Sequence, residues 1–249
     1  MIKLKTKEEI RLMIEGGKRL KEVVNILRLK IKPGVTTRQI DSQAEELINK
    51  MGGEPSFKRV KGYTWSTCIS LNEQIVHTPP SGRIIADGDM LTIDIGMYYK
   101  GFHTDFAYTL AIGSRDKKVE EFLQTGKKAL RSALAKAKKG RRLGEISYAI
   151  ETEVKSKKYS VVRELTGHGI GRKLHEDPMI TGYVDIPIDK TIVIKRGLVI
   201  AIEVIYAMGR SEMEYEHDSD WSIKTADGSL SACFEKTVAI TDTKTIILT

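Results

Sequence analysis

The sequence lacks the features that mark several classes of protein. No run of about 18 apolar residues occurs, so we expect no helix that crosses a membrane. Its two cysteines, Cys68 and Cys233, cannot form a disulfide framework and favour a reducing, cytoplasmic setting. No apolar segment follows the lysines of MIKLKTKEEIRLMIEGG, so no secretory signal peptide is expected there. These absences predict a cytoplasmic protein that does not associate with membranes.

Negative charge is scarce in the first quarter of the chain. The net charge is +8, and residues 1–62 contain 15 Lys and Arg against 8 Asp and Glu. A basic face can attract a polyanion such as RNA, whereas a solvated lysine-rich surface would give the same composition without a partner. Both interpretations stay open at this point.

The pattern of apolar residues predicts an α+β fold. With 249 residues, 41% of them hydrophobic, the chain can bury a sizeable core in one large domain or two small ones. Capping boxes and helical spacing predict four helices, with extended segments between and after them. The predicted helices begin at Thr6, Thr36, Ser114 and residue 143, and the extended segments are 66–77, 90–98, 102–112 and most of the chain after Val161. Helices in blocks, rather than in strict alternation with strands, are typical of α+β proteins.

A weak internal repeat accompanies these elements. Gly88-Asp-Met-Leu-Thr-Ile-Asp94 resembles Gly197-Leu-Val-Ile-Ala-Ile-Glu203, each being a glycine, an apolar strand and an acid. Downstream, DFAYTLAI from Asp105 matches EKTVAIT from Glu235 loosely. The repeat predicts two similar halves, each of which contributes a pair of acids to one place.

The acids of IDIGMYYKGFHTDF are placed where they should repel. A turn at Tyr99-Lys100 would set Asp94 directly opposite Asp105 on neighbouring strands, where like charges are destabilising. Glu203 lies in LVIAIEVI, which is apolar on both faces and therefore predicts a buried strand. Buried carboxylates are costly unless they are paired, protonated or bound to a cation. Four acids in similar settings favour divalent cations.

The histidines indicate which cations fit. His168 and His175 lie together in GHGIGRKLHEDP, and an imidazole ligand added to carboxylates favours iron, cobalt, manganese or zinc. His77 ends an apolar strand before two prolines, which predicts a position over a cleft. His103 shares a strand face with Asp105 and either supports a ligand or packs in the core. His217 is predicted in a loop.

Five of these positions occur in order within TIDIG, GFHTD, GHGIG, AIEV and SLSACFEKT. With these motifs, nearly the whole chain resembles the type I methionine aminopeptidases of the bacterial type, which are pita-bread metallopeptidases. The resemblance implies a curved, mostly antiparallel sheet covered by helices, in halves related by a pseudo-two-fold axis. It also implies one catalytic domain over residues 1–249, with the basic helical segment 1–62 as an integral part.

The resemblance assigns roles to the acids and histidines. It implies that Asp94, Asp105, His168, Glu203 and Glu235 bind two divalent ions (Co, Mn, Fe or Zn), whose charge of +4 balances four carboxylates. The ions would activate a water. Glu203 would accept its proton, His175 would hydrogen-bond the scissile carbonyl, and His77 would help to protonate the leaving amine. The implied reaction releases the N-terminal methionine of nascent proteins and peptides, with preference for a small second residue.

A binding pocket for the methionine side chain carries over as well. The matching positions are Phe57, Tyr63, Cys68, Leu174 and Trp221, and thioether–aromatic contact suits that side chain. Leu174 replaces a Phe that is common in the family, which predicts a pocket of different shape. Thr78-Pro79-Pro80 after His77 and Lys236 after Glu235 also depart from the family pattern, which leaves the preference for the second residue open.

Two other functions share this fold. X-Pro dipeptidases and aminopeptidases P have the same five ligands, but they carry an extra N-terminal domain, and only about 65 residues precede the first catalytic motif here. Non-catalytic relatives that bind RNA or ribosomes tend to lose the ligands, which this chain keeps. For an enzyme acting on nascent chains, the basic segment still suggests ribosome contact through Lys3, Lys5, Lys7 and Lys18. We expect a monomer that does not bind DNA.

Overall fold

The structure is a computed structural model that describes residues 2–114 and 116–249. The helices are α1 (Lys7–Arg28), α2 (Thr37–Lys50), α3 (Lys117–Lys136) and α4 (Leu143–Ser156), with short 3-10 turns at Phe57–Arg59 and Ile188–Lys190. The strands of the first half are β1 (Glu54–Pro55), β2 (Thr67–Leu71), β3 (Gln74–Val76), β4 (Met90–Tyr99) and β5 (Phe102–Ala111). Those of the second half are β6 (Ser160–Val161), β7 (Thr166–Gly169), β8 (Glu176–Thr181), β9 (Val199–Ala207), β10 (Met213–Tyr215), β11 (Ile223–Thr225), β12 (Ser231–Ile240) and β13 (Thr245–Ile247).

Two sheets carry the long strands. In the first half β4 pairs with β1, β2 and β5, and in the second half β9 pairs with β12, β7 and β6. Strands β13 and β8 extend the second sheet, and β3, β11 and β10 form a small third one. Every strand pair in the described part of the chain is antiparallel. The predicted α+β architecture is confirmed.

The capping signals place the helices well, with one correction. Thr6 Oγ1 accepts a hydrogen bond from the Glu9 amide at 3.2 Å, and the Glu9 carboxylate accepts one from the Thr6 amide at 2.8 Å, so α1 begins with a full capping box. The predicted start of α3 at Ser114 is wrong. Asp116 caps this helix by accepting from the Val119 amide at 2.8 Å. A carboxylate three residues before a free amide satisfies a helix start and suits the helix dipole.

The two halves repeat the same backbone contacts. In each half a glycine in the left-handed region precedes the second helix, and another precedes the central strand. The amides of these glycines donate to matching carbonyl groups at 2.9 Å, in the pairs Gly34–Ile85 and Gly140–Ile194, and Gly88–Ile112 and Gly197–Ile240. The predicted internal repeat is therefore visible as a repeated hydrogen-bond pattern.

The hairpin between β4 and β5 corrects the predicted register. Lys100 (φ 47°) and Gly101 (φ 91°) form the turn, because a tight hairpin turn of this type needs two residues with positive φ and glycine adopts that region freely. Asp94 therefore lies opposite Ala107, and Asp105 opposite Gly96. The two carboxylates are diagonal neighbours rather than direct partners. The shift is an even number of positions, so both still lie on one face of the sheet.

The two halves meet where β5 runs beside β12. These strands belong to different sheets, and threonine side chains link them. Thr237 Oγ1 accepts from the Asp105 amide and donates to the Asp105 carbonyl, both at 2.9 Å. Thr109 makes the same reciprocal pair with the backbone of Cys233, also at 2.9 Å. We call these four hydrogen bonds the threonine seam.

The helices cover the sheets and share their core. Apolar side chains of α1, α2, α3 and α4 pack with those of β4, β9 and β12 in one cluster, represented by Leu20, Ile40, Phe122, Ile146 and Tyr206. Within residues 2–114 and 116–249, none of the helices combines the length and the apolar character needed to span a bilayer. The core therefore holds the central strands of both halves, and the site lies on them.

Candidate metal centre

One cavity of 670 Å³ brings together all the predicted site residues. It is lined by Phe57, Tyr63, Cys68, His77, Asp94, Asp105, His168, Leu174, His175, Glu203, Trp221 and Glu235. These side chains come from both halves of the chain, and the first and last of them, Phe57 and Glu235, are 178 positions apart. The cavity is also lined by residues that were not singled out in the sequence, among them Val60, Glu176 and Met179, and by Lys3, which was predicted only as a surface residue. For Glu176 the sequence contains one indication of a place near the site, because this residue directly follows His175.

Four long strands each supply one carboxylate. Asp94 and Asp105 lie on β4 and β5, and Glu203 and Glu235 lie directly opposite each other on β9 and β12. Asp105 and Glu235 are buried, with 4% and 2% of their surface exposed. One ligand atom from each of Asp105, His168 and Glu235 lies within 4.8 Å of the others. The antiparallel strand pairs therefore bring the four carboxylates together in one part of the cavity.

Burial changes the ionisation of these carboxyl groups. Desolvation raises the pKa of Asp105 to about 7. Desolvation first, and then the neighbouring carboxylates, raise the pKa of Asp94, Glu203 and Glu235 well above the usual range. Among these neighbours, Asp105 and then Glu203 contribute most to the raised pKa of Asp94. Without a cation, the site accommodates its acids only by keeping them partly protonated.

The oxygen atoms left over fit a cation. Asp94 Oδ1 and Glu235 Oε1 are buried and have no hydrogen-bond partner among the described residues. A buried acceptor without a donor costs free energy, and a bound cation would satisfy it. Carboxylate oxygens combined with one imidazole match the ligand preferences of Mn, Fe, Co or Zn. The residues present therefore fit a divalent metal site.

His168 is held in the form that binds metals. Its Nδ1 lies 2.8 Å from the Gly169 carbonyl oxygen, which only accepts, so Nδ1 carries the proton. Nε2 is then unprotonated and lies 3.5 Å from Glu203 Oε1. Burial, and next the neighbouring His175, lower the pKa of His168 to about 3. The ring is thus neutral, with its free nitrogen facing the carboxylates.

His175 and His77 lie at the edge of this cluster. The ring of His175 packs edge-on against His168 with centroids 4.5 Å apart, and burial lowers its pKa. His77 has φ 59°, a left-handed conformation that is uncommon for a residue other than glycine. Thr78, which follows it, hydrogen-bonds Ser70 and Ser222, so the departure from the family pattern anchors this strained turn.

The other two histidines lie elsewhere. His103 packs against Tyr98 with ring centroids 4.7 Å apart, and its Nδ1 lies 2.9 Å from Ser56 Oγ. Of the two roles left open for it, the packing role fits these contacts. His217 is exposed in a loop beside Asp218, as predicted.

An aromatic pocket adjoins the carboxylate cluster. Tyr63 makes edge contacts with Trp65 and Trp221, each with centroids 5.1 Å apart, and with Phe57 at 6.3 Å. The Tyr63 hydroxyl donates to the Thr67 carbonyl at 2.9 Å and lies 3.1 Å from Cys68 Sγ. The ring is therefore fixed with its apolar surface toward the cavity. Leu174 packs in the same apolar cluster.

Comparison with known proteins places this site in a family. Residues 11–242 match the model of metallopeptidase family M24. Methionine aminopeptidase 1 of Bacillus subtilis (strain 168) is 41% identical over 100% of this chain and 99% of its own length. The crystal structure of methionine aminopeptidase from Thermotoga maritima superposes with a TM-score of 0.95, at 34% identity over 100% of this chain and 99% of that one.

The rival on the same fold matches less completely. Prolidase from Pyrococcus furiosus superposes with a TM-score of 0.80 at 25% identity, over 98% of this chain but only 64% of the prolidase. The pita-bread fold predicted from the motifs is confirmed by both structural likenesses. The identity of 41% and 34% with the aminopeptidases, against 25% with the prolidase, distinguishes the two branches. The chain belongs to metallopeptidase family M24, among its methionine aminopeptidases.

Proposed function

We propose that this protein hydrolyses the first peptide bond of nascent proteins and peptides that begin with methionine, and so releases that methionine. The observation that carries the proposal is the position of the Asp105, His168 and Glu235 cluster beside an apolar aromatic pocket in one cavity. Divalent ions bound at such a site can promote amide hydrolysis by polarising the carbonyl and activating a water, and the adjoining pocket suits an unbranched thioether side chain.

The cavity would hold two divalent ions through Asp94, Asp105, His168, Glu203 and Glu235. Two ions balance the four carboxylates, and the neutral His168 adds one nitrogen ligand. When bound, the ions supply Lewis-acid polarisation of the carbonyl and a water of lowered pKa. We propose Mn, Fe, Co or Zn, because the ligand set contains an imidazole.

The remaining steps belong to the side chains of the chain itself. A Glu203 carboxylate oxygen, which lines the cavity, accepts the proton of the attacking water as the general base. The N–H of the neutral His175 ring donates a hydrogen bond to the scissile carbonyl oxygen as charge develops there. Burial lowers the pKa of His77 to about 4, so its ring is neutral at neutral pH. It contacts the leaving nitrogen and helps to protonate it with the proton that Glu203 took from the water.

The two ends of the cavity would set the specificity. Asp94 holds the free α-amine of the substrate near the ions, which restricts cleavage to the first residue. Phe57, Tyr63, Cys68, Leu174 and Trp221 surround the methionine side chain. We propose a small second residue, with the rim near Thr78 shaping that preference.

The basic segment 1–62 would belong to the catalytic unit and contact ribosomes. Its helices share the core with both sheets, which supports one domain over residues 1–249. Lys3, Lys7 and Lys18 are exposed and available to a polyanion. Lys5 was also named from the sequence, but its side chain is buried against Glu176. The prediction that Lys5 takes part in such a contact is therefore wrong. We propose that the protein acts as a monomer.

Methionine release after metal removal tests the proposed reaction. Chelated protein should release no methionine from Met-Ala-Ser, and adding back Mn, Fe, Co or Zn one at a time should restore release with at least one of them. Acetyl-Met-Ala-Ser is the matched control, because it lacks the free amine and should resist cleavage. Faster cleavage of Xaa-Pro peptides than of Met-Ala-Ser would reject the proposal in favour of an X-Pro peptidase.

Substitutions separate ligand residues from the residues that act on the substrate. Asp105→Asn or Glu235→Gln should lower the metal content and abolish activity, because each removes one charge from the balanced site. His175→Ala should keep the metal content and lower kcat by about 100-fold, the usual cost of losing a hydrogen bond to the carbonyl oxygen. Metal content is measured beside kcat on the same samples. Loss of metal from His175→Ala would show that this residue is a ligand instead.

The stability of the metal-free protein should depend on pH. The four carboxyl groups have folded pKa values above their unfolded values of about 4, so their stabilising effect is complete below about pH 4 and declines as the pH rises through 7 and beyond. Each proton involved changes the free energy of unfolding by about 1.4 kcal/mol per pH unit. Bound divalent ions should remove this decline, because they replace the protons.

Urea unfolding in chelator at several pH values measures that decline. Glu235→Gln removes one titrating group and should make the slope shallower. Asp189→Asn is the matched control, since Asp189 is exposed and its replacement should leave the slope unchanged. A free energy of unfolding that stays constant between about pH 5 and about pH 8 in chelator would contradict the buried-carboxylate account.

Co-sedimentation with ribosomes tests the contact through the basic segment. Charge reversal at Lys3, Lys7 and Lys18 should reduce the bound fraction and its dependence on salt, because phosphate contacts release counterions. The control reverses three exposed lysines elsewhere, Lys117, Lys118 and Lys190, with the same change in net charge. Equal sedimentation of the two variants would rule out a contact specific to the segment.

A further inference from the structure

The segment before α1 attaches to the second half of the molecule. The Lys5 amide donates to the Gly197 carbonyl at 2.7 Å. A Cβ atom at Gly197 would lie 2.7 Å from the Lys5 carbonyl oxygen, so only glycine permits this approach. At Gly88, the matching position of the first half, an added Cβ would meet no described atom within 4 Å. Residues 2–6, which we call the arm, therefore break the pseudo-symmetry of the fold.

The Lys5 side chain connects the arm to Glu176, a residue that lines the cavity. Its Nζ lies 2.6 Å from Glu176 Oε2 and 2.9 Å from the Lys3 carbonyl oxygen. The two side chains of the ion pair are 4% and 6% exposed. A Cβ atom at Gly171 would lie 2.2 Å from Lys5 Cε, so this glycine leaves the space that the lysine occupies. Removing one member of such a pair leaves an uncompensated buried charge.

Glu176 in turn fixes the loop that carries His175. Its Oε1 accepts from the Lys173 amide at 3.1 Å, and the Lys173 carbonyl accepts from the Gly171 amide at 3.0 Å. The Gly171 carbonyl accepts from the His103 amide on β5 at 2.7 Å. His175 thus lies between two residues, Lys173 and Glu176, that one carboxylate connects. The orientation of this carboxylate depends on Lys5.

We propose that Lys5 is a positioning residue for His175, acting through its buried ion pair with Glu176. The ammonium holds the Glu176 carboxylate against the Lys173 amide, and this contact sets the path of residues 171–176. His175 is thereby aimed at the place where the scissile carbonyl lies. The inference rests on the role of His175 in the proposed function. It assigns a task at the active site to a residue 170 positions earlier in the chain.

Four variants and one control test the inference. Lys5→Met removes the ammonium at nearly constant length, Lys5→Arg keeps the charge, and Glu176→Gln is made alone and together with Lys5→Met. The control is Lys7→Met, which makes the same change of charge at an exposed position two residues away. For each variant we measure kcat and KM on Met-Ala-Ser, the metal content, and amide hydrogen exchange of residues 170–177 in the metal-free protein.

Lys5→Met should lower kcat by about tenfold or more with KM within about twofold, because a small misplacement of a catalytic group slows the chemical step more than binding. Metal content should stay normal, exchange of residues 170–177 should accelerate, and Lys5→Arg should recover most of kcat. The double variant should have a kcat no lower than that of Lys5→Met, since both changes break one pair.

Three results would overturn the inference. These are a kcat and an exchange pattern like those of Lys7→Met, a loss of metal that accounts for the loss of activity, or independent losses that multiply in the double variant. If Lys5→Met does not fold, Glu176→Gln and Lys5→Arg carry the same comparison. If even the unmodified protein does not cleave Met-Ala-Ser, the proposed function fails, while the exchange measurement still decides whether Lys5 orders the loop.

Discussion

Four carboxylates buried on neighbouring strands repel one another, and the arrangement of the site follows from how that repulsion is relieved. Exclusion of water raises the pKa of Asp94, Asp105, Glu203 and Glu235. Neighbouring carboxylates raise those of Asp94, Glu203 and Glu235 further. In water such a group would spread its acids apart. Here the antiparallel strands and the packed core hold the carboxylates close together, and this arrangement favours the binding of cations. A neutral His168 and two oxygen atoms without donors fit a metal site better than a set of ion pairs.

The same strands that gather the acids also give the cavity its second property. The carboxylates and His168 lie where the two halves meet, whereas the aromatic pocket around Tyr63 comes mainly from the first half. The loop of His175 comes from the second half and is tied to the arm through Lys5. The carboxylates therefore come from both halves of the repeated fold, the aromatic pocket mainly from the first half, and the loop of His175 from the second. Departures from the repeat, such as the arm on Gly197, occur where the second half must hold a group that the first half lacks.

Much of this could be predicted from local patterns in the sequence, and the failures have a common physical cause. Capping boxes at Thr6 and Thr36 placed two helices because their signals act over one turn. The hairpin acids were assigned to the correct face, but the register was wrong because the turn was placed at Tyr99 and the positive φ values lie at Lys100 and Gly101. Lys5 was taken for a surface residue, since nothing near it reveals a partner 171 positions away. The candidate site residues, which line one cavity, were predicted through motifs, because spacing alone does not show which acids meet.

The threonine seam has a consequence for the width of the site. Strands joined by a backbone ladder lie about 4.8 Å apart, a distance fixed by the length of the N–H···O=C hydrogen bond. At Asp105 and at Cys233 a hydroxyl group takes the place of the opposing backbone, and it both accepts and donates at 2.9 Å. The inserted side chain acts as a spacer of fixed atomic size between β5 and β12. The two threonines therefore set the distance between the carboxylates of the two halves, and this distance does not depend on a bound ion.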